Sequence, residues 1–264
     1  MIHPTVGRQI FGADAAGYDA ARPDYPDEIY TRLADRCELR PGTRTFEIGA
    51  GTGKVTRQLL RRGTCPLVAI EPDARLAAFL EAEAGTCLTV NFNPFEEVDL
   101  PAASFDLGVA ATVFHWLDRD VALTKIARAL QPGGWWAMWW NVFGDPTRRD
   151  DFHQATQQLF KSVEHTPSTG EATGLHYGLD VDARLRELAA TQQFDCIEHE
   201  LLRWTMRRNA DEIVALYGTF SPILLLAPSD RERFLASLRE IAERQFGGVV
   251  ERPMVTPIYT ARRA

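Results

Sequence analysis

The sequence predicts an α/β fold built around a mostly parallel sheet, and three observations point to it. Between residues 44 and 141, short apolar runs alternate with amphipathic stretches of helical length, which is typical of strand–helix–strand units. The apolar runs are nearly continuous, as expected for strands with helices on both faces. A turn containing Gly49, Gly51 and Gly53 follows the first run, where the chain has to bend sharply from strand to helix.

The first half of the chain provides five strands and three helices in alternation. The strands are predicted at Arg44–Ile48, Leu67–Ile70, Leu88–Val90, Phe105–Ala110 and Gly134–Asn141. The helices are predicted at Val55–Arg62, Ala74–Ala84 and Arg119–Leu130. In a parallel sheet the carboxyl ends of such strands share one edge, so a ligand site is expected there.

Beyond residue 142 the pattern changes, and longer helical stretches interrupt the sheet. Helices are predicted at Asp150–Val163, Val181–Thr191, Asp211–Tyr217 and Asp230–Phe246, and strands at Phe194–Trp204 and Met254–Ala261. No linker rich in Ser or Pro separates the two halves. We therefore expect one domain over residues 1–264, with a core at 44–141 and helical insertions at 142–193 and 205–250 that form a cap.

Composition excludes several classes of function. The 264 residues carry 29 Lys and Arg against 36 Asp and Glu, a net charge of −7, so no basic surface for nucleic acid or a membrane is indicated. The longest aliphatic run, Ile223–Ala227, is far shorter than a membrane-spanning helix. The amino-terminal residues lack the apolar region of a secretory signal, so a cytoplasmic location is expected.

The four cysteines give no sign of a disulfide framework. Cys37, Cys65, Cys87 and Cys196 are widely spaced and form no C-x-x-C pair. The sequence therefore predicts reduced thiols and no metal site.

The turn after the first strand carries the most specific signal for a ligand. It is followed by an apolar strand that ends in Glu71, whose carboxylate can accept hydrogen bonds from both hydroxyls of a ribose. A P-loop is disfavoured because Gly49 and Gly53 are one residue too close and Val55 stands where a hydroxyl is needed. A dinucleotide turn is disfavoured because Lys54 occupies its third glycine position. S-adenosylmethionine, which has no phosphates, fits the shorter turn best.

Several segments together resemble the class I S-adenosylmethionine-dependent methyltransferases, in particular the methyltransferase type 11 and trans-aconitate methyltransferase-like group. They span residues 14 to 141 and read FEIGAGTGKVT, AIEPDARL, FEEVDLPAASFD, VFHWLDRD and LQPGGWWAM. The segment YDAARPDYP is similar to a lid that covers the site in this group. The resemblance implies a Rossmann-like sheet of seven strands with a reversed last strand, and a lid region at residues 1–40.

The resemblance also implies a set of cofactor-binding residues. Around the methionine and ribose it implies Glu47, Gly49, Ala50, Gly51, Glu71, Ala110 and Ala111, and it implies that Tyr18 and Arg22 close the lid over the cofactor. Around the adenine it implies Pro72, Asn93 and Phe95. Asn93 stands where many relatives have Asp, and its amide oxygen can still accept a hydrogen bond.

Methyl transfer requires alignment of the acceptor more than it requires a reactive side chain. His115 is the candidate general base, because it follows the fourth strand at the carboxyl edge and its ordinary pKa suits proton abstraction near neutrality. Trp140 and Asn141 end the fifth strand at the same edge. The expected partner is a small-molecule acceptor. Two alternatives remain open, namely an NAD-dependent oxidoreductase and a non-catalytic protein that binds S-adenosylmethionine.

Overall fold

The structure, a computed structural model, describes residues 11–81, 85–163 and 174–264. Three predictions extend beyond these ranges. The first ten residues of the lid region, the end of the helix predicted at Ala74–Ala84 and residues 164–173 of the first insertion lie outside the described residues.

One sheet of eight strands runs through the described part of the chain. The strands are β1 (Thr45–Ile48), β2 (Leu67–Ile70), β3 (Leu88–Asn91), β4 (Phe105–Ala111), β5 (Leu130–Trp139), β6 (Val142–Phe143), β7 (Phe194–Asn209) and β8 (Val249–Arg263). The order is β3-β2-β1-β4-β5-β8, and β6 and β7 both pair with β8. The first five strands are parallel, whereas β8 is antiparallel to β5.

The predicted fold class, a mostly parallel sheet with a reversed last strand, is confirmed. The predicted number of seven strands is wrong by one for the described residues. The additional strand is the two-residue β6, in which Val142 and Phe143 pair with Val255 and Met254 and so extend the edge of β8 that faces β5. A two-residue strand is too short to show a repeating pattern in the sequence.

Ten α-helices surround the sheet in the described residues. They are α1 (Ala15–Ala21), α2 (Asp27–Cys37), α3 (Lys54–Arg61), α4 (Ala74–Glu81), α5 (Arg119–Ala129), α6 (Asp151–Thr156), α7 (Val181–Ala190), α8 (Ala210–Gly218), α9 (Ser221–Leu224) and α10 (Pro228–Phe246). Helices α2, α3 and α4 bury apolar side chains against one face of the sheet, and α5 and α7 against the other. Consecutive residues of β5 show this division, because Trp136 and Met138 belong to one core and Ala137 and Trp139 to the other.

A third core lies beside the far end of the sheet and holds the cap together. It joins Phe152 of α6, Tyr217 of α8 and Leu238 of α10 to Met206 and Met254 of the last two strands. These strands are longer than predicted. The strand predicted at Phe194–Trp204 continues to Asn209, and the one predicted at Met254–Ala261 begins at Val249.

The expectation of four reduced cysteines is wrong in this structure, because Cys65 and Cys87 form a disulfide. They precede β2 and β3, which pair in parallel with Leu67 opposite Leu88. This register brings the two Cα atoms to 4.8 Å although 22 residues separate them along the chain. Cys37 and Cys196 are free. Spacing along the sequence gives no hint of a pairing that arises from neighbouring strands.

Within the described ranges, no helix is both long enough and apolar enough to cross a membrane.

Candidate active site

A deep cleft opens at the carboxyl ends of β1, β2 and β4, where the sequence predicts a ligand site. Its volume is about 1170 Å³ when counted out to the open solvent. The walls come from the turn after β1, the end of β2, the loop after β4, the residues after β5 and the segment from Tyr18 to Tyr25. The cleft thus lies between the cofactor-binding core predicted at 44–141 and the predicted lid.

The glycine-rich turn forms the floor of this cleft, and its glycines serve different purposes. Gly49 has φ +66°, and a Cβ atom there would lie 2.5 Å from a methyl carbon of Val113. Gly51 has φ +58°, and a Cβ atom there would meet no protein atom within 4 Å, since this part of the turn faces the cleft. Gly49 is therefore required by packing, whereas Gly51 exposes bare main chain to whatever occupies the cleft.

Glu71, directly after β2, is buried and accepts one backbone hydrogen bond on each carboxylate oxygen. The N–H of Gly51 donates to Oε2 at 2.8 Å, and the N–H of Asp73 donates to Oε1 at 2.9 Å. Burial raises the pKa of Glu71 to about 7, because these two N–H groups only partly compensate for lost hydration. Each oxygen keeps a further lone pair for a hydroxyl donor. The geometry therefore fits a ribose, whose two hydroxyls need neighbouring acceptors.

Glu47 of β1 is a second buried carboxyl group on the cleft wall. Its oxygen accepts the hydroxyl of Thr56 at 2.6 Å, and burial raises its pKa to about 8. The negative charge of Glu71 raises the pKa further, and the positive charge of Arg57 opposes the shift. Among the described residues, no Lys, Arg or His forms an ion pair with Glu47 or Glu71. A cation placed in the cleft would supply the missing charge.

The lid is held across the cleft by Arg22. Its guanidinium donates to the hydroxyl of Thr219 at 2.8 Å and to the carbonyl of Thr219 at 3.0 Å. The same group lies over the rings of Tyr18 and Phe220, with distances of 5.1 and 4.8 Å to the centroids. Arg22 therefore joins the end of α1 to the carboxyl end of α8 in the cap.

Most of the predicted cofactor residues meet in the cleft. Those that line it are Tyr18, Arg22, Glu47, Gly49, Ala50, Gly51, Glu71, Pro72, Phe95 and Ala111. Asn93 and Ala110 are not among the lining residues. Asn93 is exposed, and Ala110 is buried in the core shared with α5.

His115 lies behind the cleft wall and is not among the lining residues. Its Nδ1 accepts the indole N–H of Trp140 at 3.0 Å. Burial lowers its pKa well below the ordinary value, and the charges of His176 and Arg184 lower it further, so the ring is neutral. Because an indole N–H can only donate, the lone pair that a general base needs is already engaged.

Sequence reasoning missed the pair formed by Tyr25 and Thr112. Their hydroxyls lie 2.9 Å apart, and both residues line the cleft. Thr112 has φ +57°, which is rare for a β-branched residue and typical of strained positions at functional sites. Tyr25 belongs to the lid-like segment and could have been found there, whereas no sequence pattern marks Thr112. Of the two residues that end the predicted fifth strand, Asn141 lines the cleft and its Nδ2 donates to the carbonyl of Asp24 at 3.1 Å, whereas Trp140 is buried in the core shared with α5.

Comparison of the sequence with known proteins finds methyltransferases. A family profile described as a methyltransferase domain matches residues 46–138. An uncharacterized methyltransferase of Mycobacterium tuberculosis is 33% identical over 231 residues, which cover 88% of this chain and 84% of the relative. An uncharacterized methyltransferase of Schizosaccharomyces pombe is 26% identical over 246 residues, which cover 89% and 88% of the two chains.

Solved structures share the fold at low sequence identity. A candidate type II methyltransferase of Anaeromyxobacter dehalogenans superposes with a TM-score of 0.61 at 21% identity, and the match covers 91% of this chain and 96% of that one. Phosphoethanolamine N-methyltransferase 2 of Haemonchus contortus, solved with S-adenosylhomocysteine and phosphomonomethylethanolamine, superposes with a TM-score of 0.58 at 15% identity. That match covers 96% of this chain and 57% of the Haemonchus protein.

Proposed function

The chain belongs to the class I S-adenosylmethionine-dependent methyltransferases, and we propose that it methylates a small-molecule acceptor bound between the lid and the end of the sheet. S-adenosylmethionine is the cofactor of this enzyme, and when bound it supplies an electrophilic methyl group on a positively charged sulfur. The observation that carries the proposal is the pair of buried carboxyl groups beside the glycine-rich turn, Glu47 and Glu71, with which no Lys, Arg or His in the described part of the chain forms an ion pair.

We assign the cofactor-binding roles from the placement of each side chain. Glu71 has free lone pairs for the ribose hydroxyls, and Glu47 offers a negative charge for the methionine amino group. Gly51 leaves room for the close approach of the ligand. Phe95 and Pro72 provide apolar walls for the adenine.

The acceptor end of the cleft is enclosed mainly by side chains that exclude water and restrict orientation. Tyr18, Arg22 and Tyr25 come from the lid segment, and Asn141 and Phe143 follow β5. A lid that crosses the cleft favours a compact acceptor over a polymer, and the net charge of −7 disfavours nucleic acid. The Haemonchus protein, which binds a phosphorylated amine, is an example of a small acceptor on this fold.

We propose that His115 positions the cleft wall and does not act as a general base. Its Nδ1 is engaged by Trp140, and its ring lies 5.1 Å from the ring of Trp116, which lines the cleft. Catalysis would then come mainly from the alignment of acceptor and methyl group, which can contribute up to ~7–11 kcal/mol.

Calorimetric titration tests the cofactor site. S-adenosylmethionine and S-adenosylhomocysteine should each bind at one site, and NAD should give no heat of binding. Glu71→Ala should abolish this binding, whereas Glu251→Ala, an exposed carboxylate on β8, should leave it unchanged. Binding of NAD alone would contradict the assignment and favour an oxidoreductase.

A panel of small amines, alcohols, thiols and carboxylic acids then tests the acceptor. Formation of S-adenosylhomocysteine with at least one class is the expected result. Product that forms only with a protein or a nucleic acid would refute the small-molecule proposal, and binding without turnover on any substrate would favour a non-catalytic role.

A further inference from the structure

Helix α1 is attached to the glycine-rich turn by one carboxylate, that of Asp19. The hydroxyl of Thr52, which lies between Gly51 and Gly53 in the turn, donates to Oδ1 of Asp19 at 2.5 Å. The guanidinium of Arg57 donates to the same oxygen at 3.2 Å. Thr52 is buried, so the lid contacts the turn itself and not a mobile surface group.

Arg57 links the contact between Asp19 and Thr52 to the conformation of the glycine-rich turn. Besides donating to Asp19, it donates to the main-chain carbonyl of Thr52 at 2.7 Å. The same side chain therefore holds the turn and the lid at once. A second cation, Lys54, lies 3.9 Å from Asp19 and 3.0 Å from Asp24. The lid thus presents two carboxylates to two cations that begin helix α3.

Two residues one turn apart at the carboxyl end of α1 are attached to different parts of the enzyme. Asp19 contacts the cofactor-binding core, whereas Arg22 contacts Thr219 in the cap. Tyr18 and Arg22 line the cleft between these attachments. Asp19 faces the glycine-rich turn and Arg22 faces the cap, so the carboxyl end of α1 bridges the cleft between core and cap.

We propose that Asp19 is a positioning residue that closes the lid over the cofactor by binding Thr52 and Arg57, and so limits the rate at which the cofactor product leaves. The inference rests on the assignment of the cleft as the cofactor site. The contact is ionic and partly exposed, so salt should weaken it. Closure of the lid depends on the conformation of the glycine-rich turn, because Arg57 binds both Asp19 of the lid and Thr52 of the turn.

The dissociation rate of S-adenosylhomocysteine tests the proposal directly. Rapid mixing of the protein–S-adenosylhomocysteine complex with excess S-adenosylmethionine should show release that is roughly tenfold faster or more in Asp19→Ala, the range expected for loss of a charge-assisted hydrogen bond. Asp19→Asn, which keeps the acceptor oxygen but not the charge, should fall between wild type and Asp19→Ala. Raising the salt concentration should accelerate release from the wild type and have little effect on Asp19→Ala.

A matched control is available at the far edge of the sheet. Asp195 forms two hydrogen bonds with Arg262 at 3.0 and 3.2 Å, so Asp195→Ala removes a comparable ion pair away from the cleft. Its release rate and salt response should match those of the wild type. Equal release rates in wild type and Asp19→Ala, with the same salt response, would overturn the proposal.

Hydrogen–deuterium exchange gives a readout that needs no ligand. In the free protein, amides of α1 should exchange faster in Asp19→Ala than in the wild type or in Asp195→Ala, while amides of β1 and β4 should be unaffected. A double-mutant cycle with Arg57→Ala should show that the two substitutions are not additive, because they remove the same contact. Unchanged exchange in α1 would assign Asp19 no role in closure even if the cofactor binds as expected, and strict additivity would contradict the role assigned to the contact between Asp19 and Arg57. Failure of the wild type to bind S-adenosylhomocysteine would instead count against the cleft assignment.

Discussion

Cofactor binding should strengthen as the pH rises from 6 to 8, because Glu47 has to lose its proton to receive the methionine amino group and Glu71 has to lose its proton to accept hydrogen bonds from both ribose hydroxyls. In the ligand-free protein, burial raises the pKa of Glu47 to about 8 and that of Glu71 to about 7, against an ordinary value of 4.5. Arg57 lowers the pKa of Glu47, and the N–H groups of Asp73 and Gly51 lower that of Glu71, but neither effect cancels that of burial. Both carboxyl groups are therefore largely protonated at pH 6.

The pKa values set the size of the effect. At pH 6 the acid form exceeds the ionised form by about 100-fold for Glu47 and about 10-fold for Glu71, and ionising both groups lowers the apparent affinity by these factors. At pH 8 most of this loss of apparent affinity has disappeared, because both carboxyl groups are then largely or half ionised. The association constant should therefore rise by roughly 500-fold between pH 6 and pH 8. Up to two protons should be released per cofactor bound at the acidic end.

The stability of the ligand-free protein should change in the opposite direction. A carboxyl group with a raised pKa binds more protons in the folded state than in the unfolded state between its two pKa values. The free energy of unfolding therefore falls as the pH rises from about 4.5 towards 8, and Glu47 alone accounts for roughly 2 kcal/mol between pH 6 and pH 8. The melting temperature of the ligand-free protein should fall between pH 6 and pH 8. The rise in melting temperature on adding the cofactor should become larger over the same range.

Calorimetry in buffers of different ionisation enthalpy measures both the affinity and the proton release. Glu47→Gln keeps an acceptor for Thr56 but cannot ionise, so its affinity should depend less on pH, and its stability should fall less with rising pH because only Glu71 still titrates. Glu240→Gln, on the exposed side of α10, provides the control and should follow the wild type. A wild-type affinity that is constant from pH 6 to pH 8, or an equal pH dependence in Glu47→Gln, would refute the reasoning.

Three further outcomes follow from the structure. Gly51→Ala should abolish cofactor binding in the calorimetric titration, because its Cβ projects into the cleft. The control is Gly42→Ala, at φ +86° with equally open surroundings, which should lose as little stability as Gly51→Ala and bind the cofactor normally. His115→Asn should keep turnover because the amide oxygen of Asn can accept the indole N–H of Trp140, whereas His115→Leu should lose turnover. Loss of turnover in both variants at unchanged cofactor affinity would instead indicate that His115 acts as a general base. Thiol titration of the denatured, unreduced protein should count two of the four cysteines, and a count of four would contradict the disulfide.

The sequence predicted correctly those parts of the fold in which a short run of residues is compatible with only one kind of secondary structure. Continuous apolar runs such as Leu67–Ile70 and the turn at Gly49 and Gly51 are dictated by burial and by backbone geometry, and both are observed. The position of Glu71 followed from the apolar run that it ends and from the resemblance of AIEPDARL to a family motif. The cleft could therefore be placed before its walls were known.

The features that were missed depend on contacts between distant residues. The pairing of Cys65 with Cys87 comes from the register of β2 and β3, which no local pattern encodes. The positive φ of Thr112 is imposed by its surroundings against its own preference. The extension of β7 to Asn209 was hidden because an exposed edge strand can carry charged residues at most positions.

The position of β8 has a consequence for biosynthesis. Strand β5 needs Ile258–Arg262 as its antiparallel neighbour, yet these residues are translated long after Trp139. During synthesis the tryptophan-rich β5 leaves its backbone groups open to other chains, which is a condition for aggregation. We therefore expect expression to benefit from chaperones and from slower translation at low temperature.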